Sequence, residues 1–361
     1  MNNEDLYPKP IPGPKTSTYV IYALLALVLV LAATVVWLSV YRMAEEPVEV
    51  MDAIAVDSVE PIQEQLDSSF LVTGNLYFTG KSTTDMDTPP QVWRYSFEEN
   101  RAQVYISEPT IDFVTTDTEF DLLIAHLGEE SPTSGYQPVW RDRETGEIGI
   151  LPHQDANRGT DIAVSPDNRF YAYSYQVDIV DDIDNLANWE IAIHNYETGE
   201  VIVIPEAAEP IWFSNSRDVL FMAADGLYVY DLETEQEFPL YTNFSDLQAF
   251  DDMALSLDDS TIVLTIPVEG LIVILDLEIR EDGEEFVVTV RDTVSQPGAL
   301  WRHPVIAPGN DFYAVYVGVE EGDVSDQAII EIRSFDHDAV IQTVTYPGFD
   351  PYSIKLTHWS I

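Results

Sequence analysis

Cysteine is absent from the 361 residues, which excludes disulfides, thiolate nucleophiles and cysteine-built zinc or iron-sulfur sites. Cations are scarce as well: 16 Lys plus Arg stand against 64 Asp plus Glu, a formal charge of -48. Such a surface repels a polyanion at long range, so nucleic acid is excluded as a partner and anionic membrane surfaces are disfavoured. Lysine occurs only at Lys9, Lys15, Lys81 and Lys355. Enzyme signatures are missing too. A phosphate-binding loop ending at Gly80, Lys81 and Ser82 would need glycine where Asn75 stands, and neither G-x-S-x-G nor H-E-x-x-H occurs. The histidines, His126, His153, His194, His303, His337 and His358, are scattered, and surface or turn positions explain them. Among 64 acids the paired carboxylates of a glycosidase leave no readable trace.

What is present begins with one long apolar run. Residues 18–40 are 23 positions without a charge, and at about 1.5 Å per residue they span the roughly 30 Å hydrocarbon layer, which predicts a transmembrane helix. Tyr19 and Tyr22 at one end, with Trp37 and Tyr41 at the other, fit headgroup-level aromatic belts. A cleaved signal peptide is the competing reading, but its apolar region runs to only about 7–15 residues. Lys9 and Lys15 before the helix, Arg42 alone after it, and the acidic bulk beyond residue 41 predict a cytoplasmic N-terminus and an exported remainder. The expected division is a short Pro-rich cytoplasmic tail at 1–17, the helix as an uncleaved anchor at 18–40, an acidic linker at 41–60 and an exported domain at 61–361.

Beyond the linker no long helical periodicity occurs, and short Val-, Ile-, Tyr- and Phe-rich runs alternate with turn residues, so the domain reads as all-β. Five segments align without gaps: VTTDTEFDLL from Val114, VSPDNRFYAY from Val164, FSNSRDVLFM from Phe213, LSLDDSTIVL from Leu255 and IAPGNDFYAV from Ile306. Each reads as strand, tight turn and second strand, recurring every 40 to 50 residues. A further strand pair follows most copies, as in IAIHNYETGEVIVI from Ile191, where Gly199 takes the turn position. Four strands per repeat make one blade of a radially repeated antiparallel fold.

These hairpins resemble the WD-like PD40 repeats of TolB-like β-propellers, whose SPDG turn is matched best by Ser165, Pro166, Asp167 and Asn168, and whose D-x-x-T-G turn is matched by Asn195, Thr198 and Gly199. The other copies keep little more than turn character. The resemblance covers about residues 61–361 and implies a propeller with protein partners, while the repeat motif itself says almost nothing about function. Residues 354–361 look like a first strand without its blade, Trp359 and Ser360 aligning with Phe213 and Ser214, and residues 70–107 supply the missing later strands. The two ends are therefore expected to close one shared blade. Six four-stranded antiparallel blades is the count this gives, with seven as the alternative.

Two groups stand out as candidate sites. Asp178, Asp181, Asp182 and Asp184 cluster in a loop of the third blade and would suit calcium, although the EF-hand spacing is absent and a solvated acidic loop is the plainer reading. Asp282, Glu284 and Glu285, and also Glu320, Glu321 and Asp323, are weaker clusters of the same kind. Trp301, Arg302 and His303, with Tyr136 and Tyr352, are expected on the face where the second-to-third-strand and interblade loops gather, as a candidate partner-binding patch, although core packing or wedging between blades is the plainer reading for Trp301. Asn243, Phe244 and Ser245 form a glycosylation sequon. Together these features predict a membrane-anchored extracytoplasmic propeller that binds or scaffolds proteins in the cell envelope without catalysis and without an obligatory cofactor. The alternatives are a propeller glycosidase or lyase, or an ancillary subunit of a larger membrane complex. The scarcity of lysine and the charge of -48 also predict a surface suited to high salt, where counterions screen self-repulsion. The thermal midpoint is expected to rise from low to molar salt; a flat profile in a melting series would contradict a high-salt adaptation.

Overall fold

The computed structural model describes residues 72–81, 89–116, 120–125, 137–152, 159–177, 185–242, 252–279, 286–318, 327–336, 339–347, 349–350 and 353–360. The expected membrane span at 18–40, with its tail and linker, lies outside these; among the described residues no helix is long and apolar enough to cross a membrane.

Twenty-four strands form six four-stranded antiparallel sheets, so the count of six blades holds. Blade 1 contains β1 (Asn75–Gly80), β2 (Gln91–Ser96) and β3 (Arg101–Ile106). Blade 2 is β4 (Thr110–Thr115), β5 (Phe120–Ala125), β6 (Gln137–Asp142) and β7 (Ile148–Ile150); blade 3 is β8 (Gly159–Val164), β9 (Phe170–Gln176), β10 (Trp189–Asn195) and β11 (Val201–Pro205). Blade 4 is β12 (Ala208–Trp212), β13 (Asp218–Ala223), β14 (Gly226–Asp231) and β15 (Gln236–Tyr241), and blade 5 is β16 (Asp252–Leu255), β17 (Thr261–Ile266), β18 (Leu271–Ile279) and β19 (Phe286–Ser295). Blade 6 is β20 (Leu300–Ile306), β21 (Phe312–Gly318), β22 (Gln327–Ser334) and β23 (Val340–Pro347). The last strand, β24 (Lys355–Ser360), pairs with β1, Trp359 facing Leu76 and His358 facing Tyr77, and so completes blade 1 as its first strand. The first strands β24, β4, β8, β12, β16 and β20 neighbour one another in a closed ring. Closure hides the edges that an open sheet would expose to aggregation.

The core lies between blades rather than within one layer. Second strands are covered on both faces, so β17 is buried at all six positions and β5 at five of six, which is why they read as continuous apolar runs instead of alternating ones. Phe213, Leu220 and Met222 of blade 4 meet Ile262 and Leu264 of blade 5, and Val263, Ile272 and Ile274 of blade 5 meet Trp301 and Tyr313 of blade 6. Fully burying one such aliphatic side chain contributes about 1.5–3 kcal/mol.

Strand pairing corrects the ungapped alignment by one residue in blades 2 and 4. Val164 pairs with Tyr171, and its counterparts by pairing are Thr115, opposite Asp121, and Trp212, opposite Val219, in place of Val114 and Phe213. Phe213, in the place of Ser165, is fully buried. With the register corrected, the glycine of the SPDG pattern is replaced by Asn168, Ser216, Asp259 and Asn310, all at φ between 57° and 59°. An L-residue is disfavoured in this region, by about 1–2 kcal/mol in a left-handed helix. The polar side chains offset that cost by latching onto the preceding blade. Ser216 Oγ accepts from the Asp167 N–H at 3.0 Å, the Asp259 carboxylate accepts from the N–H and the hydroxyl of Ser214, and the Asn310 amide bonds Asp258. Asp259→Gly relieves the backbone but removes these bonds, and the expected net result is a loss of about 1–3 kcal/mol of unfolding free energy. A neutral or stabilising outcome in denaturant titration would mean that the latch contributes nothing.

Candidate functional site

A cavity of about 430 Å³ runs along the first strands, from their starts, on the face where second-to-third-strand and interblade loops emerge, to the turns into the second strands at Pro166, Ser214 and Leu257. Eight ionisable side chains line it, and six of them form a ring with one member per blade: Asp112, Asp161, Glu209, Asp252, His303 and Lys355; Asp259 and His358 lie farther along the channel. The first five each lie three residues before the end of their first strand, the same position of the repeat. Bulges aim four of them. Register shifts fall at Thr110/Asp112, Thr160/Ala163, Ala208/Ile211 and Arg302/Val305, and Asp161, Glu209 and His303 take φ of 57°, 58° and 50°.

Three of the four bulges free a backbone N–H that the previous blade accepts, and at the fourth the Ile111 carbonyl accepts from the Thr79 hydroxyl of blade 1 at 3.1 Å. Asp112 Oδ2 receives the N–H of Ile162 at 2.8 Å, Ser174 Oγ that of Glu209 at 3.0 Å, and Asp252 Oδ2 that of His303 at 3.2 Å. At the centre stands the Lys355 ammonium, which donates to Asp161 Oδ1, to Asp112 Oδ2 at 3.3 Å and to Thr160 Oγ1 at 3.4 Å. His303 Nδ1 meets Asp252 Oδ1 at 2.8 Å. Burial works to lower the Lys355 pKa, but the surrounding carboxylates of Asp112, Asp161, Glu209 and Asp252 outweigh it and hold the ammonium well above its ordinary value. Burial pushes Asp112 up, against the pull of Lys355. It pushes Glu209 well up, helped by the charge of Asp161 and a hydrogen bond to it. Asp252 resists burial through His303 and Lys355 and stays below the ordinary carboxylate range. The ring therefore carries a cation of its own where an exogenous one would sit, and among the described residues no three His, Asp or Glu are placed to hold a metal ion.

Of the residues expected at a partner site, Trp301 and Arg302 lie in β20 rather than in a loop. Trp301, 1% exposed, wedges between blades 5 and 6, with the Arg333 guanidinium 4.9 Å from its ring centroid and its indole N–H donating to Glu331 at 3.3 Å. Arg302 is half-buried, and His303 alone of the three joins the channel ring. Tyr136, Tyr352, the cluster of Asp178, Asp181, Asp182 and Asp184, the weaker acidic clusters and the sequon lie outside the described residues. The surface role expected of the histidines is corrected at three positions. His194 is buried in a stack on Tyr171 at 4.8 Å, His303 faces the channel, and His358, beside Tyr77, is lowered by burial to about 4. His126, His153 and His337 lie outside the described residues. The five ring partners of His303 were not anticipated, although their spacings of 49, 48, 43, 51 and 52 residues, from Asp112 round to Lys355, follow the blade repeat.

No protein-family model and no curated protein matches the chain. Solved structures do. TolB from Acinetobacter baumannii is similar with a TM-score of 0.55 and 16% identity over 79% of this chain and 65% of that one. A TolB from Agrobacterium tumefaciens gives 0.50 and 14% over 78% and 92%, and a chain of the nidogen–laminin complex gives 0.51 and 10% over 79% and 97%. The chain thus spans 65% of the length of the Acinetobacter protein. These likenesses establish the TolB-like propeller fold.

Removing Lys355 leaves buried carboxylates facing one another without a counterion, so Lys355→Met is expected to cost about 3–5 kcal/mol at pH 7. Glu209→Gln, which mimics the protonated state, is expected to cost less than about 1 kcal/mol. The pH dependence follows from linkage. Glu209 and Asp112, raised in the folded state, contribute stability that is full below the ordinary carboxylate range and is lost as pH rises through their folded values; Asp252, lowered, contributes stability that is full above that range and lost as pH falls through its folded value. Glu209→Gln should therefore flatten the decline on the alkaline side, and Asp252→Asn the decline on the acid side, in unfolding measured from pH 3 to 9. Equal effects of the two variants on both limbs would contradict these assignments.

Proposed function

We propose that the protein is a single-pass, membrane-anchored propeller displayed outside the cytoplasm, where it serves as a non-catalytic protein-binding or scaffolding module of the cell envelope. The carrying observation is the occupied channel mouth. A glycosidase needs two carboxylates flanking a scissile bond with space between them, about 5–5.5 Å apart when retaining and about 6.5–9.5 Å when inverting. Here that space holds the Lys355 ammonium, bonded to Asp112 and Asp161. Lys355 pairs with Asp112 and Asp161, and His303 with Asp252, an interlocked set that suits a rigid scaffold better than a reacting centre. The uncharged run at 18–40 and the acidic excess beyond it support the anchor and the orientation. The TolB-like fold supports a partner-binding role by analogy only.

Photo-crosslinking side chains placed on the channel-face turns, for example at Asp225 and Glu269, are expected to capture a discrete envelope protein in intact cells, and protease added outside spheroplasts is expected to degrade the propeller. Protection from that protease would reverse the topology. Co-purification of the same protein in fixed ratio after detergent extraction would identify a stable subunit rather than a transient partner, while capture of lipid alone would overturn the docking role.

A further inference from the structure

Blade 2 ends in the shortest strand of the described fold. β7 has three residues, against five to ten in the outer strands of the other blades. Trp140 of β6 pairs with Gly149 of β7 and lies flat on it, where a Cβ would overlap the indole. Phe120 meets the Trp140 ring edge-on at 5.4 Å between centroids. Together with Leu122, Leu151, Pro152, Val164 and Tyr196 of blade 3, these side chains floor a groove of about 410 Å³ between blades 2 and 3. That volume lies within the range of about 300–1,000 Å³ typical of ligand pockets. Ile150 is 59% exposed, Phe120 40% and Tyr196 40%, a local concentration of apolar surface that a monomer seldom leaves open without use.

The rim decides the occupant. The hairpin turns on either side carry Glu144 and Glu147 in blade 2 and Glu197 and Glu200 in blade 3, all exposed. Among the described residues, the arginines beside the groove are already engaged, Arg143 with Asp121 and Arg169 with Asp167. The groove offers no free backbone edge at Pro152, which lacks an N–H and whose carbonyl accepts the Tyr171 hydroxyl, so it is built for side chains rather than for an added strand. A second copy of this chain would bring another -48 to the contact and be repelled. We propose that this groove docks a segment of a partner protein that presents an aromatic or aliphatic anchor flanked by basic side chains. The inference stands on the groove and its rim, independently of the channel and of membrane anchoring.

The test is fluorescence anisotropy of dye-labelled acetyl-Lys-Leu-Phe-Lys-amide titrated with the full chain in nanodiscs of zwitterionic phosphatidylcholine. Saturable binding is expected, weakened at least tenfold by Ile150→Glu and unchanged by Val268→Glu, a still more exposed position in blade 5. The peptide with both lysines replaced by glutamate should bind at least tenfold more weakly at low salt, and the gap should narrow at high salt. Both positions are exposed, so melting curves of the variants should match the parent and separate lost binding from lost folding. The proposal is overturned by absence of saturable binding, by indifference to Ile150→Glu, or by equal binding of acetyl-Lys-Gly-Gly-Lys-amide, which would reduce the contact to charge adsorption.

Discussion

The pairing of β24 with β1 is the contact on which the rest of the ring depends. It joins residues nearly 300 positions apart, with Thr357 Oγ1 donating to the Tyr77 carbonyl at 3.3 Å, and its entropic cost is that of closing the whole domain. The same strand brings Lys355 to Asp112 of blade 2 and Asp161 of blade 3. Hydrogen-bond closure and charge closure are therefore one event. Without β24 the sheet of blade 1 lacks its first strand, and the buried acids of neighbouring blades face one another without the Lys355 cation, a state that their mutual repulsion makes costly.

The first strands use local strain in the same way at both ends. Near the channel mouth, bulges with left-handed Asp161, Glu209 and His303 turn polar side chains inward and release N–H groups for the previous blade. At the opposite end, left-handed Ser216, Asp259 and Asn310 carry the side chains that reach back to the preceding turn. Such residues persist only where surrounding contacts over-determine them, at roughly 1–3 kcal/mol each. Here the compensating bonds run between blades, so the strain within one repeat is offset by its fit to the next. Glycine, which would remove the strain, would also remove the side chain that makes the bond.

The fold was legible in the sequence because hairpin turns and doubly buried second strands repeat at blade length, and both survive erosion of individual letters. Terminal closure was legible for the same reason, since residues 354–361 form a strand with no blade of their own. The ring was not. With 64 acids, no single carboxylate stands out, and the correct first-strand register in blades 2 and 4 differs by one residue from the ungapped alignment, which blurs the column holding Asp112, Asp161 and Glu209. The usable signal was the rarest residue type. Lys355 is one of four lysines and sits in the closing strand, where a surface role fits poorly. Wedging between blades, the plainer reading of Trp301, is what its burial shows, but its cation–π contact with Arg333, a residue from another strand of blade 6, is beyond the reach of local spacing.

A channel that neutralises itself shifts recognition to the periphery. Its carboxylates already bind an ammonium held in place by the fold, so an outside cation would have to displace Lys355 from several partners and leave that ammonium buried. Away from the channel, arginines such as Arg143 and Arg217 pair with Asp121 and Asp218, but over the chain acids outnumber Lys plus Arg by 64 to 16. There an apolar floor with an acidic border can combine hydrophobic contact with long-range attraction, the first setting how long a partner stays and the second how quickly it arrives. A rigid, internally satisfied hub with chemically distinct rim surfaces is what six blades around a locked centre provide.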